Sequence, residues 1–182
     1  MEPEFIVLIV ALVLVLGAVG VLLWRQQQSR KLKQRFGPEY DRTVEAAGGR
    51  REAERELHER EERRSKLDIK PLPAEARERY LEQWGELQRR FVDTPAEAVR
   101  DAHAVVTNLM RDRGYPVEDF EQRAADISVD HPEVVEDYRA ANRITTDTEQ
   151  GQASTEELRQ AMVHFRSLFD RLLETSTDTE VD

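Results

Sequence analysis

Residues 5–24 read FIVLIVALVLVLGAVGVLLW, twenty consecutive positions without a charged or strongly polar side chain. At about 1.5 Å per residue, a helix of that length spans about 30 Å, the depth of a bilayer's hydrocarbon core. Lipid offers the backbone no hydrogen-bonding partner, so such a run satisfies its own peptide groups as a helix despite its valines. Trp24 falls at headgroup level, where an amphipathic ring is favoured. A transmembrane helix over 5–24 is therefore expected. The competing reading is a cleaved leader, for which Ala18-Val19-Gly20 offers the small residues. A leader opens on basic residues, whereas this chain opens with Glu2 and Glu4, and the apolar run continues through Val21-Leu22-Leu23-Trp24. A buried core helix fits less well still, because the run has no polar face. Gly17 and Gly20 are three apart and miss the four-residue spacing of a helix-dimer motif.

Flanking charge sets the expected orientation. Arg25, Arg30, Lys31, Lys33 and Arg35 follow Trp24 with no acid before Glu39, and no Lys or Arg precedes Phe5. The positive-inside rule places this basic side in the cytoplasm of a cell (inner) membrane, with residues 1–4 outside. Trp24 and the five cations are the expected membrane-interface residues. The cations suit anionic lipid at about 1 kcal/mol each, although setting topology is explanation enough for them.

Beyond the anchor the balance of charge changes along the chain. Residues 25–70 hold 14 Lys or Arg against 10 acids, and residues 71–182 hold 13 against 25. The distal part would be repelled by phosphate backbones, which argues against nucleic acid as a partner. With no cysteine in the chain, disulfides, thiolate metal sites and thiol catalysis are excluded.

Residues 25–38 form a basic juxtamembrane segment closed by Phe36-Gly37-Pro38, where glycine suits a helix end and proline a helix start. The next segment, 39–70, is predicted to be a charged helical connector. Twelve of the fifteen residues from Arg50 to Arg64 are Arg or Glu, and only Ala53 and Leu57 offer an apolar edge. Glu56–Arg60, Glu59–Arg63 and Glu62–Lys66 are i,i+4 pairs in the favourable order. A helix polar all round is ordinarily a solvent-exposed stalk, and coiled-coil a and d positions are missing. Arginines alternating with glutamates do not make a nucleic-acid arm. Gly48-Gly49 should break this connector, and Pro71-Leu72-Pro73 should end it.

Residues 71–174 carry helical periodicity. Ala76, Tyr80, Trp84, Leu87 and Phe91 share one face. Thr94-Pro95-Ala96-Glu97 has the form of a capping box with proline in the first turn, opening a helix that buries Ala98, Ala102, Val105, Val106 and Leu109 and stops at Gly114. Pro116 should open a shorter helix carrying Val117, Phe120, Ala124 and Ile127. Asp130-His131-Pro132-Glu133 resembles another capped start, leading to Val134, Val135, Tyr138 and Ala141. Thr145–Ala153 reads as a loop. Ser154-Thr155-Glu156-Glu157 is a third capping box, ahead of Leu158, Met162, Phe165, Phe169 and Leu172, the strongest amphipathic pattern in the chain. The acidic tail 175–182 should be disordered. No period-2 alternation suggests a strand. The expected fold class is all-α: a transmembrane helix, a charged stalk and an antiparallel bundle of four to five helices.

Chemistry-bearing residues are sparse. Asp126, Asp130, His131 and Glu133, with Asp137 a turn beyond, are the candidate metal ligands, since carboxylates with imidazole suit a divalent cation. Capping by Asp130 or His131, with acids at a positive dipole end, explains the same residues without a metal. His103 and His164 lie beside apolar stripes, where packing accounts for them. His58 belongs to no ligand motif, and no phosphate loop or G-x-S-x-G is present. Arg111 and Arg113 at a helix end complement the dipole. Neither a cofactor nor a catalytic residue is expected.

Arg35-Phe36-Gly37-Pro38-Glu39-Tyr40-Asp41, Lys70-Pro71-Leu72, Arg90-Phe91-Val92-Asp93, Met110-Arg111-Asp112-Arg113-Gly114-Tyr115-Pro116 and Val129-Asp130-His131-Pro132 resemble an uncharacterised bacterial family labelled hypothetical, membrane or secreted proteins. The likeness covers nearly the whole chain from about residue 35 to about 170. It implies a bacterial membrane protein and carries over no catalytic or binding residue. The expected function is a membrane-anchored, non-enzymatic module for protein–protein interaction, with the lipid bilayer and a protein as partners. The alternative is a membrane-tethered bundle that senses a ligand or metal. An enzyme is a third reading, since glutamates on helices can host chemistry without a readable motif.

Overall fold

The computed structural model describes residues 3–174, with the side chains of residues 3–11, 13–15, 18, 21 and 25 outside the description. The expected disordered tail at 175–182 also lies outside the described residues. Among the described residues there are eight helices and no strand: α1 (Pro3–Phe36), α2 (Pro38–Ala46), α3 (Arg50–Ser65), α4 (Ala74–Arg90), α5 (Pro95–Arg113), α6 (Phe120–Asp130), α7 (Val135–Glu149) and α8 (Thr155–Glu174). No helix among those residues is long and apolar enough to cross a membrane. The run expected to do so, 5–24, falls mostly on side chains outside the description.

The bundle of residues 71–174 is five helices around one core. Helix α8 buries Leu158, Met162, Phe165, Phe169 and Leu172, the stripe expected from its 3.6-residue period. Its start is a formed capping box: Glu157 accepts from the Ser154 backbone N–H at 2.7 Å, and the Ser154 hydroxyl accepts from the Glu157 N–H at 3.3 Å. Polar side-chain pairs give the directions. Arg90–Asp101 and Tyr80–Asp112 make α4 and α5 antiparallel, and His164–Asp137 and Arg171–Glu133 do the same for α7 and α8. Trp84 of α4 stacks on Phe169 of α8 at 4.6 Å between ring centroids.

Gly114 ends α5 with φ 98°, a left-handed conformation that disfavours any side chain. A Cβ there would stand 2.4 Å from the Asp68 carbonyl oxygen, so the 66–73 connector passes against bare backbone. Arg113 secures this crossing, donating to the carbonyls of Lys70 (3.2 Å) and Leu172 (2.6 Å). The arginine read as a dipole complement thus ties α5, the connector and the end of α8 together.

Four local expectations are corrected. Pro116 does not open a helix; α6 begins at Phe120, because the Asp119 carboxylate caps it by accepting from Gln122 N–H at 2.8 Å. Asp130 is the last residue of α6 and caps nothing; a turn over 131–134 precedes α7, whose N-cap Val134 has no side-chain bond to give. Thr145–Glu149 is helix rather than loop: Thr145, Thr146 and Thr148 return their hydroxyls to the carbonyls four residues back, and Ile144 anchors the turn in the core. In addition, Thr94 stands at the N-cap of α5 without a side-chain cap, its hydroxyl instead donating to the Arg90 carbonyl at 3.3 Å.

The larger correction concerns the stalk. Helix α3 is not polar all round, since Ala53, Leu57 and Arg60, spaced 4 and 3, are buried. Gly48, at φ 70°, turns the chain between α2 and α3. Leu57 then joins Leu32, Phe36, Tyr40 and Val129 in a second core, with Val44 packed against it. Helix α6 is shared, giving Ala124 and Ile127 to the main core and Val129 to this one. The charged segment is therefore part of the folded domain.

Candidate functional site

Each carboxylate of the acidic cluster faces its own cation or donor. Asp126 accepts from Gln122 Nε2 at 2.9 Å and lies 3.8 Å from Arg63; burial pushes its carboxyl up, against the pull of those two groups. Asp130 accepts from Arg64 Nε and from the Tyr115 hydroxyl at 2.6 Å. Burial, with the Asp130 charge added, raises the Tyr115 phenol above its ordinary value. Glu133 pairs with Arg171 at 2.8 Å. His131 is buried with Nε2 unpartnered, and that burial pushes its imidazole down. Asp137 holds His164 at 2.9 Å. The residues are near in sequence, yet their partners come from α3, α8 and the α5 end, which pull them apart. Among the described residues no group of three or more His, Cys, Asp or Glu could hold a metal ion.

A site that sequence reasoning missed lies at Glu39. Its carboxylate, fully buried, accepts from Arg60 Nη1 at 2.6 Å and from both terminal nitrogens of Arg139 at 2.6 and 2.9 Å. Burial alone would raise this carboxyl; the hydrogen bonds and charges of Arg139 and Arg60 outweigh it and hold the group below the usual Glu range. Arg60 also reaches Glu56 and the Ser128 hydroxyl, and Arg139 reaches Glu136. One carboxylate thereby joins α2, α3 and α7, and through Ser128 also α6. No short-range spacing announces it, because Glu39 and Arg139 are 100 residues apart.

The expected interface residues sit on α1. Among its described side chains, Leu12, Leu16, Val19, Leu22, Leu23 and Trp24 are all exposed, Trp24 at 61%. Five residues on the pattern reverses: Ser29, Leu32 and Phe36 are buried against the second core. Ser29 donates to Glu54, which also accepts from Tyr40 (2.9 Å) and Arg50 (3.0 Å). Lys33 pairs with Asp41 at 2.8 Å and Arg35 with Glu61 at 2.7 Å, while Arg30 and Lys31 are exposed. The Arg25 side chain lies outside the description.

The other surface features are open grooves. One of about 300 Å³ runs between α4 and α8, lined by Trp84, Phe91, Met162 and Val163. Another, lined by Arg42, Arg60, Arg63 and Arg139, lies over the Glu39 network. The arginines of this second groove already face Glu39, Glu56, Glu136 and Asp126, so it is the outer wall of a structural ion cluster. The class defined by these features is an all-α domain of two cores, the smaller built on the end of a long N-terminal helix. No family model, curated protein or solved structure matches the chain.

Proposed function

We propose that the chain is a bacterial inner-membrane protein with one N-terminal span, residues 1–4 outside, and its helical domain in the cytoplasm as a non-enzymatic module that binds a protein partner. The observation that carries this reading is α1 itself. It is one helix whose described apolar side chains from Leu12 to Trp24 are exposed, and which becomes part of the domain's core from Ser29 onward. Large apolar surface without a partner marks a membrane or protein contact, and the twenty-residue length of the run matches a bilayer. The cations after Trp24 supply the orientation. The carboxylates of the acidic cluster are engaged in holding helices together, which supports a structural use of them over a catalytic one. Support for a place at the membrane surface comes from the short interval between Trp24 and Ser29, about 7.5 Å along a helix.

The test is membrane extraction of the full chain carrying a C-terminal fluorescent reporter. The expected result is retention through an alkaline wash, cytoplasmic fluorescence, and release when Leu12 and Leu16 are both changed to Arg. Recovery of unaltered protein in the soluble fraction, or a reporter active only outside the cytoplasm, overturns the anchor. In-cell crosslinking of the full chain that recovers no protein above an anchor-only control overturns the binding role.

A further inference from the structure

The pairing of cations among the described residues from 26 to 70 is nearly complete, and the exceptions lie within about two helical turns of one another along the α1 axis. Among the described residues from 26 to 70, every Lys and Arg lies within 4 Å of a carboxylate except Arg30, Lys31 and Arg51. All three are exposed. Arg30 and Lys31 stand on α1 just past Trp24, and Arg51 is twenty residues further along the chain, in the first turn of α3.

The fold brings Arg51 to the same level. Ser29 of α1 bonds Glu54 of α3, and Arg35 of α1 bonds Glu61 of α3. Going from the first pair to the second advances six residues on α1 and seven on α3, about 9 and 10 Å, so the two helices run side by side in the same direction. Three residues before Glu54, Arg51 is level with the stretch of α1 just after Trp24. Helix α2 runs the opposite way, as the Lys33–Asp41 pair followed by Val44 in the second core indicates. It delivers Ala46, Gly48 and Gly49 to that same level. The α2–α3 turn therefore faces the end of the domain from which the apolar part of α1 emerges. Two exposed acids, Glu45 and Glu52, share this end, and Glu52 is neutralised by Arg55. Arg50, although bonded to Glu54 and Tyr40, keeps most of its side chain in solvent.

We infer that the α2–α3 turn, with Arg51 and the α1 residues Arg30 and Lys31, is a docking surface for the anionic phospholipid headgroups of the bilayer face, seating the domain on the membrane. This rests on the anchor reading above. Everywhere else in this segment positive charge is matched inside the protein. Only at the level where an anchored α1 would leave the bilayer is it left outward, and phosphate is the complement available there. Two cations contributed by α1 alone would only flank the span. Adding Arg51 from a different helix fixes the domain's tilt and rotation about α1.

The absence of native cysteine makes the test clean. The full chain, with one fluorophore on Ala46→Cys or on Leu22→Cys, is placed in nanodiscs of phosphatidylcholine alone or with phosphatidylglycerol as a third of the lipid. Quenching by neutral acrylamide is then measured. The Ala46 probe is expected to be shielded at least about twofold more in the anionic discs, consistent with about fivefold per cation in the docked population. Arg51→Glu should remove the difference, and so should about 0.5 M salt. Arg51 has no partner to lose, so the variant keeps its fold, which its melting temperature verifies. A Leu22 probe shielded in both discs, with an Ala46 probe indifferent to lipid charge or to Arg51→Glu, overturns the headgroup surface and leaves the anchor standing. A Leu22 probe quenched as freely as in denaturant overturns both.

Discussion

Replacing Glu39 by Gln keeps the size of the side chain and removes its charge, and the structure sets what that does. The carboxylate receives three hydrogen bonds of 2.6–2.9 Å from Arg60 and Arg139. In the amide, one of the two acceptor atoms becomes an NH₂ donor facing a guanidinium, so at least one charged hydrogen bond is replaced by donor against donor. Breaking one partner of a buried ion pair costs about 3–5 kcal/mol. Arg60 keeps Glu56 and Ser128, and Arg139 keeps Glu136, so the lower end applies, about 3 kcal/mol. For a domain of this size that lowers Tm by about 6–12 °C. The assay is thermal unfolding of the full chain in mild detergent, followed by circular dichroism, with exposed Glu75→Gln as a control expected to change little. The pH dependence gives a second readout. Because the folded-state carboxyl lies below its ordinary value of 4.5, its contribution is complete above that pH and is lost as acid brings the pH down through the depressed value. The gap between wild type and Glu39→Gln should therefore be constant near neutrality and close in acid. A Glu39→Gln protein that melts within a degree of wild type at neutral pH would refute the reasoning.

Three further measurements follow in the same assay. Leu57→Ala should cost about 2–5 kcal/mol, because the side chain is fully buried, whereas a solvated stalk would lose almost nothing. Gly114→Ala should destabilise by more than about 2 kcal/mol, since left-handed backbone and a carbonyl at 2.4 Å act together; Gly151→Ala, at φ 71° with open space around it, should cost only about 1 kcal/mol, and equal effects would sink the clash argument. Ser154→Ala should remove about 1 kcal/mol by undoing the capping box at the start of α8, with no loss expected if Glu157 alone holds that turn.

What the sequence made legible was local. The α8 stripe, the Pro95 start and Gly114 stop of α5, and the Ser154–Glu157 cap are all written within a few residues of where they act. The misread segments are those where distant residues decide. In α3, Ala53 and Leu57 look too few to matter among twelve charges, yet both are buried, and Leu57 shares a core with Phe36 and Val129. Arg60 reads as a solvated charge until Glu39 and Ser128 are found beside it. The acids around His131 read first as helix-capping groups, with a metal as the lesser reading, because the arginines that claim them, Arg63, Arg64 and Arg171, belong to other helices. Thr145–Glu149 looked like a loop because threonine's weak helix preference comes from competition with the backbone, and here each buried hydroxyl is answered four residues back.

Recasting the stalk as a second core changes what the domain can do. A flexible spacer would let the bundle move independently of the helix that precedes it. Instead, Ser29, Leu32 and Phe36, spaced 3 and 4, are the inward stripe of the same helix that begins at Pro3, and no Gly or Pro interrupts it between Gly20 and Gly37. Any tilt or rotation of α1 is therefore imposed on α2, α3 and α6 through a packed interface, and on α7 through Glu39 and Arg139. A packed core passes such displacements on because it has no slack in which to absorb them. If α1 spans the bilayer, the rest of the domain is held at a fixed height and orientation relative to the membrane face. A long-reach tether and a rigid membrane-seated platform have the same composition here. What separates them is whether Leu57 is buried.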